Sequence, residues 1–305
     1  MIGSFRAGNQ AFRIGPLILS IFTFERYTTV MGPPRRRGYP SDTLPAVAEA
    51  YFTTPDGSWF TPTPYTRGPW DLDSCHAGPP AALMVRALEA LVPNKRLARI
   101  AVELLRPIPM SGFRVQSEVR RPGRSVTLTE AEILDDDRVY AQAFAMHLRQ
   151  EDMEVSTAPF EVPDLAIAIP GPFPIHTTVH GDAAFPISLE VRYDPSGSQG
   201  VGGPTTMWTR SLVPILADEE PSGLQRICPL ADSGNGISYN DYLDEVLFIN
   251  TDLLLSTVRE PQGEWFCSRV ESHWSSDGTG IADAELFDLQ GPVGRATQNL
   301  LLTAR

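Results

Sequence analysis

The chain has 305 residues, 42% of them hydrophobic and 20% charged, with a formal net charge of −12. That length holds one large or two ordinary domains. The acidic balance argues against a phosphate-backbone partner, so no nucleic acid is expected; the short Arg35-Arg36-Arg37 cluster lies among Pro and Gly and reads as a solvated loop. Cys75, Cys228 and Cys267 show no CxxC spacing and leave one thiol over in any pairing, which favours a reducing, cytoplasmic setting.

Residues 1–45 read as a leader, disordered or belonging to a mis-assigned start. The apolar run Ile14 to Phe24 contains Gly and Pro and falls short of the about 20 residues of a spanning helix, so no membrane span is expected. Arg6 and Arg13 ahead of it resemble the start of a signal peptide, but no A-x-A-like site follows. Three readings stay open: an upstream translation ahead of a true start at Met31, a loosely docked tail, and an export segment.

A first unit is expected over 46–150. Strand patches at Tyr51-Phe52-Thr53 and Ser58-Trp59-Phe60 flank the turn Pro55-Asp56-Gly57. Pro79 to Leu91 carries an apolar helical face through Ala82, Val85 and Leu88, and Gly78-Pro79-Pro80 suits its first turn, where a missing N–H loses no partner. Strands follow at Ile100 to Leu105, Phe113 to Arg120, Ser125 to Leu134 and, after the turn Asp135-Asp136-Asp137, Val139 to Leu148. The Pro-rich stretch 151–185 reads as a linker. The second unit, 186–305, opens with a strand at Ile187 to Val191. It has an unclear helical segment in Leu212 to Cys228, then strands at Val246 to Leu255, Trp265 to His273, Gly280 to Asp288 and Gly294 to Thr303. Helix followed by antiparallel strands is an α+β pattern.

The two units repeat one another. Phe113, Glu118, Ala131, Glu132 and Asp135 recur as Phe266, Glu271, Ala284, Glu285 and Asp288, at one offset of 153 (271 − 118 = 153). A one-residue insertion after Asp288 would make Phe144 the twin of Gln298 (298 − 144 = 154).

Three stretches carry a family resemblance. H-A-G-P-P-A-A-L-M-V-R-A-L-E (His76 to Glu89) with E-L-L-R-P-I-P (Glu103 to Pro109) is one. The others are L-A-D-S-G-N-G-I-S (Leu230 to Ser238) with F-I-N-T-D-L (Phe248 to Leu253), and G-R-A-T-Q-N-L-L-L (Gly294 to Leu302). Together they resemble the acyl-CoA thioesterases of the double hot-dog superfamily, in the bacterial and peroxisomal medium- and long-chain thioesterase II-like and actinobacterial branches. The resemblance implies an α+β double hot-dog, two tandem units each with a long helix wrapped by an antiparallel sheet. It implies hydrolysis of acyl-CoA to free fatty acid and CoA with no cofactor and no metal.

In such enzymes an Asp, a Ser/Thr and a Gln hold the hydrolytic water. The resemblance carries these roles to Asp232, to Asn250 or its neighbour Thr251, and to Gln298. Asn250 departs from the hydroxyl pattern, and strand alternation lets only one of Asn250 and Thr251 face the site. A helix terminus would bind the developing oxyanion through backbone N–H groups. Such a terminus is expected at His76-Ala77-Gly78 or at Gly234-Asn235-Gly236.

Each residue also has a plain reading: Asp232 as turn chemistry, Gln298 as an outward amide, His76 as a structural residue at a helix start. Asp71 and His76 have the Asp-x4-His spacing of hot-dog hydratases, which keeps a hydratase or dehydratase as an alternative; a non-catalytic acyl-CoA or acyl-carrier binding protein is another. His147, His176, His180 and His273 have no metal-ligand spacing. Gly197 to Gly203 reads as a hairpin loop, or a lid, without the Lys of a phosphate loop. The expected partner is acyl-CoA, and hot-dog sheets often pair, which leaves a homodimer as a further expectation.

Overall fold

The computed structural model describes residues 50–156, 159–174, 185–199, 203–241 and 246–304. The expected leader, His176, His180 and part of the Gly-rich loop lie outside the described residues. The chain forms β1 (Phe52–Thr53), β2 (Thr61–Pro62), α1 (Gly78–Leu91), β3 (Arg96–Leu104), β4 (Arg114–Arg121), β5 (Val126–Leu134) and β6 (Val139–Leu148). There follow β7 (Ile169–Pro170), β8 (Leu189–Tyr193), β9 (Thr205–Ser211), α2 (Gly223–Ala231), β10 (Val246–Asn250), β11 (Asp252–Thr257), β12 (Phe266–Trp274), β13 (Thr279–Asp288) and β14 (Gly291–Ala304).

One antiparallel sheet runs β4-β5-β6-β3-β11-β14-β13-β12-β9-β8-β7, with β10 continuing β11 along β14. The strand order β4-β5-β6-β3 is repeated as β12-β13-β14-β11, so each repeat is a three-stranded meander closed by its own first strand. The two meet where β3 pairs with β11. In that seam Ala101 faces Leu254, and these two are twins of each other (254 − 101 = 153). A local twofold therefore passes through this pair.

Register corrects one expectation. Thr129 pairs with Ala145, and Ala282 pairs with Gln298. Both members shift by 153 (282 − 129 = 153, 298 − 145 = 153), and the irregularity at Ile133/Leu134 recurs at Leu286/Phe287. There is no insertion after Asp288, and the twin of Gln298 is the buried Ala145. Phe144 lies on the opposite, outer face and is 45% exposed. The first strand obeys the same offset: Leu97 faces His147 as Asn250 faces Leu300, and the break at Thr251 matches a register shift at Ala98.

The inner face of each meander is lined with small residues, Ala131, Ala141, Ala143 and Ala145 in one copy, Ala282, Ala284 and Ala296 in the other. α1 buries Ala81, Ala82, Leu83, Met84, Val85 and Leu88 in this core. Its start is fixed as expected by Gly78-Pro79-Pro80. The second copy departs: α2 is nine residues long, has Pro229 in its last turn, and gives way to a 3-10 turn at Asn235–Ile237. The apolar stretch before it, including Val213, Ile215 and Leu216, is buried without forming helix. Proline at 214 and 221 explains why, since helix does not propagate through proline, and α2 begins only at Gly223.

Residues 162–170 of the Pro-rich stretch pack on the outer face of the second meander. Val162, Leu165 and Ala168 cover Trp208, Cys267 and Phe287, and Ile169–Pro170 adds a strand beside β8.

α1 and α2 meet at a close approach: a Cβ on Gly78 would lie 2.7 Å from Pro229 Cα and 3.2 Å from Cys228 O. Neither neighbour is a mobile side-chain end, so Gly78→Ala must push the helices apart. We expect it to cost about 1–3 kcal/mol, read as a lower urea midpoint. An unchanged midpoint would count against this contact.

Candidate active site

Four elements converge where α1 begins and α2 ends. Asp232 caps the C-terminus of α2, its N–H donating to Cys228 O at 3.0 Å. Gln298 projects inward from β14, Asn250 ends β10, and His76 lies just ahead of α1. The sequence places these residues far apart; the seam between the copies brings them together.

Asp232 is 3% exposed and Gln298 1%. Gln298 Nε2 donates to Asp232 O at 2.8 Å and to Asp232 Oδ1 at 3.1 Å, while its Oε1 accepts the Asn235 N–H at 3.1 Å. Gly234 makes room for it: a Cβ there would stand 2.8 Å from Gln298 Oε1. Asn250 Nδ2 reaches Asp232 O at 3.4 Å, and Asn250 Oδ1 is enclosed without a partner among the described residues. Of the pair left open by the sequence, Asn250 is the one that faces Asp232. Thr251 is exposed, with its hydroxyl donating to Asn299 O at 3.1 Å.

His76 Nδ1 lies 3.2 Å from Asp232 Oδ2 and accepts the Gly78 N–H at 3.1 Å. Its ring stacks on Phe185, with centroids 3.8 Å apart and planes 19° apart. Burial pushes the His76 pKa down to about 3 and the Asp232 pKa up to about 7, the latter opposed by Asn250, Gln298 and the Gly78 amide. The contact is therefore not an ion pair. It fits a protonated carboxyl donating to a neutral imidazole whose Nδ1 carries a lone pair.

The Asp71–His76 pair suggested by spacing is not formed. Asp71 is exposed and accepts the Asp73 N–H at 2.8 Å, and the carboxyl beside His76 is Asp232. The predicted backbone donors are largely committed: His76 N–H to Thr66 O at 2.8 Å, Gly78 N–H to the imidazole and Asn235 N–H to Gln298. Ala77 and Gly234 sit between these residues at the two termini. His147 is buried against Thr129 at 2.9 Å, and His273 is exposed beside Glu271. Among the described residues no three His, Cys, Asp or Glu side chains gather in a metal-binding group.

Phe185 and Trp274 escaped the sequence reading. Trp274 Nε1 donates to Asn235 Oδ1 at 2.9 Å, and its ring packs on Phe248, which meets Trp70 edge-on at 5.0 Å. Phe185 had no signal beyond an aromatic at the end of a Pro-rich stretch. Trp274 could have been flagged as a Trp at the end of a strand whose twin, Arg121, is charged (274 − 121 = 153).

Asp232 ties stability to pH. Its folded pKa lies above the unfolded one, so the native state holds a proton the unfolded chain has lost, and stability falls as pH rises from the ordinary carboxylate range through about 7. His76 acts oppositely, with stability falling as pH drops below the ordinary imidazole value. We expect Asp232→Asn to raise the unfolding free energy at pH 8 by on the order of 2 kcal/mol. Urea titrations across pH would show this, and a variant less stable than wild type at pH 8 would refute it.

Comparison with known proteins places the chain in a family. A family model described as acyl-CoA thioesterase N-terminal domain matches residues 66–148, and one described as acyl-CoA thioesterase C-terminal domain matches residues 163–302. No curated protein matches the chain significantly. Among solved structures, the acyl-CoA thioesterase II TesB2 of Mycobacterium marinum superposes with a TM-score of 0.60 at 14% identity, over 84% of this chain and 96% of that one. A conserved protein with a hot-dog fold from Alicyclobacillus acidocaldarius gives 0.64 at 16% identity, over 85% and 97%. A tesB protein of Mycobacterium avium subsp. paratuberculosis gives 0.56 at 13%, over 83% and 96%. Among the described residues no helix is long and apolar enough to cross a membrane. With both family models matched in order and the hot-dog fold shared, the chain belongs to the acyl-CoA thioesterase family and is a thioester hydrolase.

Proposed function

We propose that the protein hydrolyses acyl-CoA to a free fatty acid and CoA with a water held by Asp232, Asn250 and Gln298. The fold would be a double hot-dog, with units at 46–150 and 186–305 joined by the stretch 151–185. The observation that carries the reading is a buried carboxyl with a raised pKa, held by the Gln298 amide, beside an enclosed acceptor without a partner among the described residues, Asn250 Oδ1. A water donating one hydrogen to that oxygen and the other to the Asp232 carboxylate would satisfy both.

In the reaction the ionised Asp232 takes a proton as the water oxygen bonds to the thioester carbonyl carbon. Collapse of the tetrahedral adduct breaks the C–S bond, and the leaving thiolate takes up a proton to give CoA–SH. The carboxyl must therefore begin ionised. Gln298 fixes its orientation from one side, and Asn250, in place of a hydroxyl, supplies both a donor and an acceptor. His76, kept neutral by burial, accepts a hydrogen bond from the Asp232 carboxyl when that group is protonated and loses that contact when Asp232 ionises.

A panel of acyl-CoAs from acetyl to palmitoyl, assayed by release of free thiol, tests the reading. We expect CoA release with kcat/KM rising with pH through about 7, the Asp232 pKa. Asp232→Asn should lower kcat by about 10³-fold while still binding a non-hydrolysable thioether analogue. Turnover by Asp232→Asn within threefold of wild type, or no CoA release by wild type at any chain length, would overturn it.

A further inference from the structure

We infer that the side-chain amide of Asn235 donates a hydrogen bond to the thioester carbonyl oxygen as it gains negative charge, and that Trp274 holds the amide in the required orientation. This rests on the hydrolytic reading of the Asp232 site. Asn235 is fully buried, and three of its polar atoms can be followed. Its N–H donates to Gln298 Oε1 at 3.1 Å, and its Oδ1 accepts from Trp274 Nε1 at 2.9 Å. Its Nδ2 is enclosed with no acceptor among the described residues.

The orientation of the amide is not arbitrary. An indole N–H can only donate, so the oxygen end must face Trp274 and the NH₂ end must face away from it. A buried NH₂ without an acceptor costs about 1–3 kcal/mol, which a bound acceptor recovers. Asn235 follows Asp232 by three residues in a helical turn, the spacing that places two side chains on one side. Both residues also hold the same Gln298 side chain, Asp232 through Nε2 and Asn235 through Oε1. The donor is thus anchored to the group that anchors the base.

Trp70, Phe248 and Trp274 form an aromatic wall beside it, which excludes water and strengthens a charge-assisted hydrogen bond. The first copy lacks the indole: the strand twin of Trp274 is Arg121 (274 − 121 = 153). The donor lies, with its indole, in the same copy as Asp232, Asn250 and Gln298. It also supplies what the helix-terminus amides do not, since the Asn235 backbone N–H is spent on Gln298.

Two non-hydrolysable CoA ligands separate a carbonyl contact from general binding. In one, a methylene replaces the sulfur and the carbonyl is kept; in the other, a methylene replaces the carbonyl and the sulfur is kept. For Asn235→Ala we expect the ketone to bind about fivefold more weakly, the thioether to bind unchanged, and kcat to fall about 10²-fold at constant KM. Trp274→Phe keeps the ring and frees the amide to turn; kcat should fall about tenfold, and the Asn235→Ala/Trp274→Phe double variant should be no worse than Asn235→Ala alone. Equal weakening of both ligands, kcat within twofold of wild type in Asn235→Ala, or additive losses in the double variant would overturn the inference. Wild type that binds both ligands but releases no CoA would remove the hydrolytic reading alone, and wild type that binds neither would remove both.

Discussion

The enclosure of one carboxyl, Asp232, is the constraint on which the rest of this structure turns. A buried carboxylate is costly unless its oxygens are met by donors. Here Gln298 on β14 donates to Oδ1, Asn250 on β10 reaches the main-chain O of the same residue, and a neutral imidazole from the other copy closes the remaining side. Each of these contacts requires a particular backbone placement. Gln298 needs Gly234 to approach, and His76 needs Gly78 to let α1 meet α2. Burial of the cluster raises the Asp232 pKa to about 7, which suits the base proposed above.

That cluster exists in one copy of a duplicated architecture. The offset of 153 holds in β3 with β6 and in β10 and β11 with β14, including the irregularities at Ala98/Thr251 and Leu134/Phe287. Backbone geometry is thus shared while side chains diverge. At the inward strand positions Ala145 and Leu97 stand where the second copy has Gln298 and Asn250. Apolar twins avoid a second buried polar cluster, which would cost stability without a reaction to serve. The first copy instead contributes His76 across the local twofold, so the site belongs to the pair of units.

How much was legible differs between fold and site. The four strands of each meander were readable because alternation and turn residues mark strands locally, and the repeat doubled the signal. The start of α1 was readable from Gly78-Pro79-Pro80. β9, with Trp208 and Met207 both buried, was missed, because a strand covered on both faces does not alternate. The β10/β11 break was missed because a bulge at Thr251 leaves no compositional mark.

The sequence by itself determined the α+β class, the duplication, the family and the identity of the polar residues that break an otherwise apolar inner face. It could not decide which of Asn250 and Thr251 faces inward, because a single bulge reverses strand parity. Nor could it reveal that His76 meets Asp232 rather than Asp71, or that Trp274 orients Asn235. Those are contacts between residues 156 and 39 positions apart (232 − 76 = 156, 274 − 235 = 39), made by pairing β3 with β11 and by packing β12 beneath the turn after α2. Local pattern encodes which face of an element is buried; only the assembled sheet decides what that face meets.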